Sequence, residues 1–187
     1  LVNSETREFK DLTPKSTQLF SNSGDISYAI APDGKHVALV MNSTPPPFRD
    51  ESNADIYLVP TDGSGATVNL TVDNKATDGS PLFAPDGKSL VYGRTETTIH
   101  NGESVRLWRH DFATGKNTIL TKALDYSFND FEFSPDSRTL WVTPEDKGEV
   151  PLFRMNADGT GLTAVPLVGT SSNVVVRGGS VVFLNAT

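Results

Sequence analysis

The sequence contains no cysteine. Disulfides and thiolate metal sites are therefore excluded. Histidine is nearly as scarce, at three residues, His36, His100 and His110. One follows a turn, one lies in a loop and one ends a strand, so no pair has metal-ligand spacing on a single element. Neither a metal nor a cofactor is expected. Apolar runs stop at about six residues, where a membrane helix needs roughly 18 or more. Basic residues are outnumbered 16 to 23, for a net charge of −7. A basic stripe with interleaved aromatics is missing, so neither nucleic acid nor a membrane is an expected partner. No apolar period of 3.6 residues runs long enough for a three-turn helix. A nucleophile elbow is absent too, since Gly169-Thr170-Ser171-Ser172-Asn173 lacks the closing glycine. Asn156-Ala157-Asp158-Gly159 opens like a calcium loop, but the rest of that pattern is missing, and a hairpin turn is the better reading. No phosphate-cradling loop precedes a helix. No catalytic residue is nominated in this chain.

What the chain does have is repetition. Residues 80–92 read as strand, tight turn, strand, with Pro85-Asp86-Gly87-Lys88 as the turn. Proline presets φ, aspartate bonds its own backbone, and glycine takes positive φ without steric cost. Copies recur at Pro32-Asp33-Gly34-Lys35 and Pro135-Asp136-Ser137-Arg138, spaced by 53 (85−32) and 50 (135−85) residues. Residues 173–184 form a degenerate fourth copy, with Arg177-Gly178-Gly179 as its turn. A second hairpin follows each of the first three, around Asp62-Gly63, Thr114-Gly115 and Asp158-Gly159. Four short strands repeated at about 40–50 residues are the signature of β-propeller blades. The second strand of each unit, such as Leu90-Val91-Tyr92, is apolar on both faces, as a blade between two blades requires. A β-sandwich with chance hairpin similarity is the plain alternative.

The expected fold is all-β: a β-propeller segment of about three four-stranded antiparallel blades plus part of a fourth, the ring not closed within this chain. The units run 1–24 (end of a preceding blade and connector), 25–72, 73–121, 122–168 and 169–187 (start of a further blade). In the first, residues 9–13 read as the outer strand of that preceding blade. A ring takes roughly four to eight blades, and open blade faces invite aggregation. The chain is therefore expected to be a piece of a longer polypeptide, with the remaining blades as its partners.

Two carboxylates stand out. Asp25 and Asp78 each lie seven residues before their turn proline (32−25 and 85−78). Equivalent positions at one rim could hold a substrate ammonium by charge-assisted hydrogen bonds. The alternative is that each caps a backbone turn. Asn42-Ser43-Thr44, Asn69-Leu70-Thr71 and Asn185-Ala186-Thr187 are glycosylation sequons, a number that chance alone supplies. The loop 42–54 carries three consecutive prolines, which stiffen it as polyproline II; it is either a functional loop or a solvated insertion.

The turns Ala31-Pro32-Asp33-Gly34-Lys35, Ala84-Pro85-Asp86-Gly87-Lys88 and Ser134-Pro135-Asp136-Ser137-Arg138 resemble the blade turns of two families. One is the prolyl-oligopeptidase family of serine peptidases and the other the TolB-type propellers. Asp55-Ile56-Tyr57-Leu58-Val59-Pro60 and the run from Gly79 to Gly87 are closer to the secreted fungal dipeptidyl-peptidase V type, in the middle of its N-terminal propeller. The resemblance implies a secreted, glycosylated serine exopeptidase that releases dipeptides from peptide N-termini. It also implies a C-terminal α/β-hydrolase domain carrying the Ser-Asp-His triad, with the propeller gating access and positioning the peptide substrate. No triad residue maps onto this chain. A non-catalytic TolB-like propeller for protein binding is the second reading.

Overall fold

A computed structural model describes residues 1–14, 27–44, 53–98 and 103–187. Among these, all regular structure is β-strand, arranged in four consecutive antiparallel sheets. The first holds β1 (Tyr28–Ile30), β2 (His36–Asn42), β3 (Ala54–Pro60) and β4 (Val68–Asn69). The second holds β5 (Asp78–Phe83), β6 (Ser89–Arg94), β7 (Arg106–Asp111) and β8 (Lys116–Ile119). The third holds β9 (Ser127–Phe133), β10 (Thr139–Glu145), β11 (Phe153–Asn156) and β12 (Thr163–Ala164), and the fourth β13 (Thr170–Arg177) and β14 (Ser180–Ala186). Within each four-stranded sheet the strands pair in chain order. The leading strands are neighbours, β1 beside β5 and β9 beside β13. This is a run of propeller blades around an axis, not closed into a ring among the described residues.

The turn chemistry is local. Asp33, Asp86 and Asp136 each accept, on Oδ1, the backbone N–H two residues on, at 2.9, 3.0 and 3.0 Å. The next residue takes positive φ: Gly34 at 69°, Gly87 at 71°, and Ser137, a non-glycine, at 61°. Ser137 keeps its place because its Oγ accepts the N–H of Asp86 at 3.0 Å, tying the third sheet's turn to the second's. At the far end of the first and second blades a threonine does similar work. The fully buried Thr71 and Thr121 hydroxyls accept the N–H groups of Ile56 and Leu107, each at 3.0 Å, where the chain crosses to the next sheet.

The core lies between sheets. Leu90 and Tyr92 of β6 face the first sheet and join Ala38, Val40 and Ile56. Val91, between them, faces the third sheet and joins Phe131, Phe133, Leu140 and Val142. All three β6 residues are fully buried, the two-sided burial that the apolar run predicts. Val2 bridges Phe9 in a tight hairpin, which Asn3 Oδ1 holds by accepting the N–H groups of Glu5 and Thr6 at 2.9 and 3.0 Å. Phe9 is exposed, and Lys10 donates to the carbonyl of Asp62 in the first sheet's second turn.

Candidate functional site

Asp25, His100 and the triple proline lie outside the described residues. Asp78 opens β5, directly opposite Arg94 at the end of β6. It is wholly buried. Arg94 Nε donates to Asp78 Oδ1 at 2.7 Å, and Asn74 Nδ2 to Asp78 Oδ2 at 3.1 Å. The other two guanidinium nitrogens of Arg94 grip Asp73 at 2.9 and 3.2 Å, a bidentate clamp. The guanidinium lies over the rings of Trp108 and Tyr92, 4.4 and 5.5 Å from their centroids. Asn117 continues the chain, donating to Asp73 at 3.1 Å and to the Leu70 carbonyl at 2.8 Å. Asn117 Oδ1 lies 2.9 Å from His110 Nδ1. The result is a polar stitch along the seam between the first two blades. Both oxygens of Asp78 are engaged within it, and its carboxylate supports Arg94.

Burial raises the Asp78 carboxyl to about 6, against the pull of Arg94 and Asn74. Asp73, half exposed and clamped by the same guanidinium, is held below its usual range by the Arg94 hydrogen bonds. The two have opposite linkage. Asp78 binds its proton more tightly folded than unfolded, so its contribution to stability is full below about 4 and lost as pH rises through about 6. Asp73 contributes above its unfolded value and loses that as pH falls below about 4. In Asp78→Asn, the wild-type fall in thermal midpoint between pH 4 and 6 that this group causes should vanish. A pH profile parallel to wild type would refute the assignment.

The inner strands carry a second constellation. The β5–β6 register shifts between Gly79 and Leu82, with Ser80 at φ 51°. The β9–β10 register shifts at Thr143/Pro144, and β13–β14 between Ser172 and Val175, with Asn173 at φ 54°. A bulge thus recurs in three successive inner strands, and bulges re-aim side chains. Ser27, Ser80 and Asp130 each lie five residues before a turn proline (32−27, 85−80, 135−130). They come together around one cavity of about 210 Å³. Asp130 Oδ2 accepts the N–H of Val174 at 2.9 Å, and Glu132 faces Arg177 at 3.7 Å. Burial raises the Glu132 carboxyl above its ordinary value, with Arg177 opposing. Ser27 just before β1, Ser80 on β5 and Asp130 on β9 thus form a polar ledge to which three blades contribute. Aligning the repeats at that one position would have revealed it.

The sequons differ in setting. Asn42 is buried, and its Oδ1 accepts the Thr44 N–H at 2.8 Å. Asn69 Nδ2, the atom a glycan would take, donates to the buried Asp55 at 2.7 Å. Asn185 is exposed, with Nδ2 on the Val168 carbonyl at 3.0 Å. Among the described residues no group of three or more His, Cys, Asp or Glu is placed to hold a metal, and no helix is long and apolar enough to cross a membrane.

No family model matches the sequence. Among curated proteins, the chain is 30% identical over 184 residues to dipeptidyl-peptidase 5 of Trichophyton schoenleinii, a match covering 86% of this chain and 25% of the relative. It is 29% identical over 134 residues to dipeptidyl-peptidase 5 of Porphyromonas gingivalis, covering 71% and 19%. The chain thus spans about a quarter or less of the length of these relatives. Among solved structures, a puromycin-hydrolysing peptidase of Mycobacterium tuberculosis matches at TM-score 0.65 and 16% identity, over 84% of this chain and 27% of that one. The tricorn protease matches at 0.62 and 10% (83% and 18%). TolB from Acinetobacter baumannii matches at 0.57 and 16% (85% and 39%). At such identities the structural likeness carries the fold alone, and that fold is the propeller. The sequence relatives bear out the resemblance to prolyl-oligopeptidase-type peptidases over the matched residues.

Proposed function

We propose, on the premise that this chain is homologous to a quarter of dipeptidyl-peptidase 5 and folds as consecutive propeller blades, that it is propeller structure of a secreted serine exopeptidase. In this reading the parent enzyme releases dipeptides from peptide N-termini. A catalytic α/β-hydrolase domain outside this chain carries the chemistry. The blades, with the remaining blades of the ring, admit short peptides along the axis and position them. The observation that carries the reading is the 184-residue homology. The ledge of Ser27, Ser80 and Asp130 adds polar groups that face a peptide threading the channel.

The test uses the full-length protein. Peptides with a free amino terminus should lose dipeptides stepwise, read by mass spectrometry. N-acetylated versions should resist, and a serine-directed fluorophosphonate should abolish the release. Asp25→Asn should raise KM for free-amine substrates; an unchanged KM removes that carboxylate from the reading. A second reading, a non-catalytic binding propeller, draws on the likeness to TolB. It wins if the full-length protein releases no dipeptide and takes no label from the fluorophosphonate.

A further inference from the structure

The seams between the first and second sheets and between the second and third sheets are built differently at their turn ends. In the seam between the second and third sheets, Ser137 receives the N–H of Asp86, and a Cβ on Gly159 would collide with the Leu120 carbonyl. That seam is closed by polar and backbone contact. In the seam between the first and second sheets, the residue at the Ser137 position is Gly87 (85+2 against 135+2). It has no hydroxyl to receive the N–H of Asp33. The strand registers also place Phe112 where the third sheet has Ala157, and Leu58 where the second has Arg109. Two polar or small positions of one seam are therefore large and apolar in the other.

The outcome is a cavity of about 530 Å³ between the first two blades, within the roughly 300–1,000 Å³ typical of ligand pockets. Leu58 stands on one wall, and Phe83 and Phe112 on the other, their rings stacked at 5.8 Å. Asp33 and Asp86 line the same cavity. Each spends Oδ1 on capping its own turn. Among the described residues, Asp86 Oδ2 has only a loose, solvent-exposed contact with Lys88 at 3.8 Å, a pairing of little worth. Neither Lys35 nor Lys88 lines the cavity. The pocket is lined by apolar side chains together with His36 and two carboxylates, on a chain of net charge −7. Five residues of strand, about 16 Å, separate these turns from the inner-strand ledge, so the cavity is a separate place.

We propose that this seam is a docking site for a partner polypeptide that presents an aromatic side chain next to a basic one. The ring enters between Leu58 and the Phe83–Phe112 stack, and the cation settles between Asp33 and Asp86. An aromatic ring supplies the apolar area that fills such a slot, and the two carboxylates select the neighbour's charge. The proposal is independent of the peptidase reading, because it uses neither the ledge nor a catalytic domain.

The test is calorimetric titration of the full-length protein with acetyl-Gly-Phe-Arg-Gly-amide, whose blocked terminus prevents exopeptidase cleavage. Two control peptides carry Glu for Arg, or Ala for Phe. The Phe-Arg peptide should bind saturably, and each control at least about 10-fold more weakly, a difference of about 1.4 kcal/mol. Phe112→Ala should weaken it comparably. So should Gly87→Ser, which installs the hydroxyl that the sister turn already carries at the same positive φ and so keeps the fold. Absence of saturable binding, equal affinity for the three peptides, or undiminished affinity in both variants would each overturn the proposal.

Discussion

Arg94→Met should lower the free energy of unfolding by about 3–5 kcal/mol at pH 8, the usual cost of stripping a buried ion of its partner. Two carboxylates depend on this one guanidinium. Asp78 has no exposure and, without Arg94, only Asn74 as a side-chain donor among the described residues. Asp73 loses its bidentate clamp but reaches water and keeps Asn117. Most of the penalty therefore falls on Asp78. Methionine preserves much of the contact with Trp108 and Tyr92, so the loss reports charge more than volume. The pH dependence is the diagnostic. A protonated Asp78 needs no cation, so the destabilisation should shrink as pH falls through the Asp78 range and below. Adding Asp78→Asn to Arg94→Met should recover part of the loss at pH 8. Urea unfolding at pH 5 and pH 8 measures all of this. A pH-independent loss, with no recovery in the double variant, would show that Arg94 serves by packing alone.

Gly159→Ala should cost roughly 2–5 kcal/mol, combining a positive-φ penalty of about 1–2 with an overpacking cost of about 1–3. Gly159 sits at φ 88°, and its added methyl would run into the backbone carbonyl of Leu120 in the neighbouring blade. Backbone cannot swing aside as a side chain can. Gly87 provides the control: its φ is similar, 71°, but a Cβ there meets nothing within 4 Å. Gly87→Ala should cost only the conformational part, about 1–2 kcal/mol. The midpoints of urea denaturation separate the two. Equal losses would mean that the second and third blades are not held as closely as Leu120 and Gly159 indicate.

Much of the architecture was legible because its causes are local. The Pro-Asp-Gly turns, the aspartate caps and the two-faced apolar strands all follow from residues adjacent in sequence. The Asp78–Arg94 pair was half legible. Asp78 stood out by its place in the repeat, but Arg94 reads as the polar end of Leu90-Val91-Tyr92-Gly93 until strand register puts the two opposite each other. The bulges at Ser80 and Asn173 were invisible for the same reason, since a slipped register changes pairing without changing composition. Phe112 and Leu58 give no signal alone, because their meaning comes from comparison with Ala157 and Arg109 in the sister seam.

Each four-stranded sheet meets its neighbours along seams and little else, so stability is shared along the arc like load through a row of links. The second sheet is the one flanked by four-stranded sheets on both sides. Its opening must break two seams. In such nearest-neighbour assemblies the stability of each sheet rests on the seams it shares.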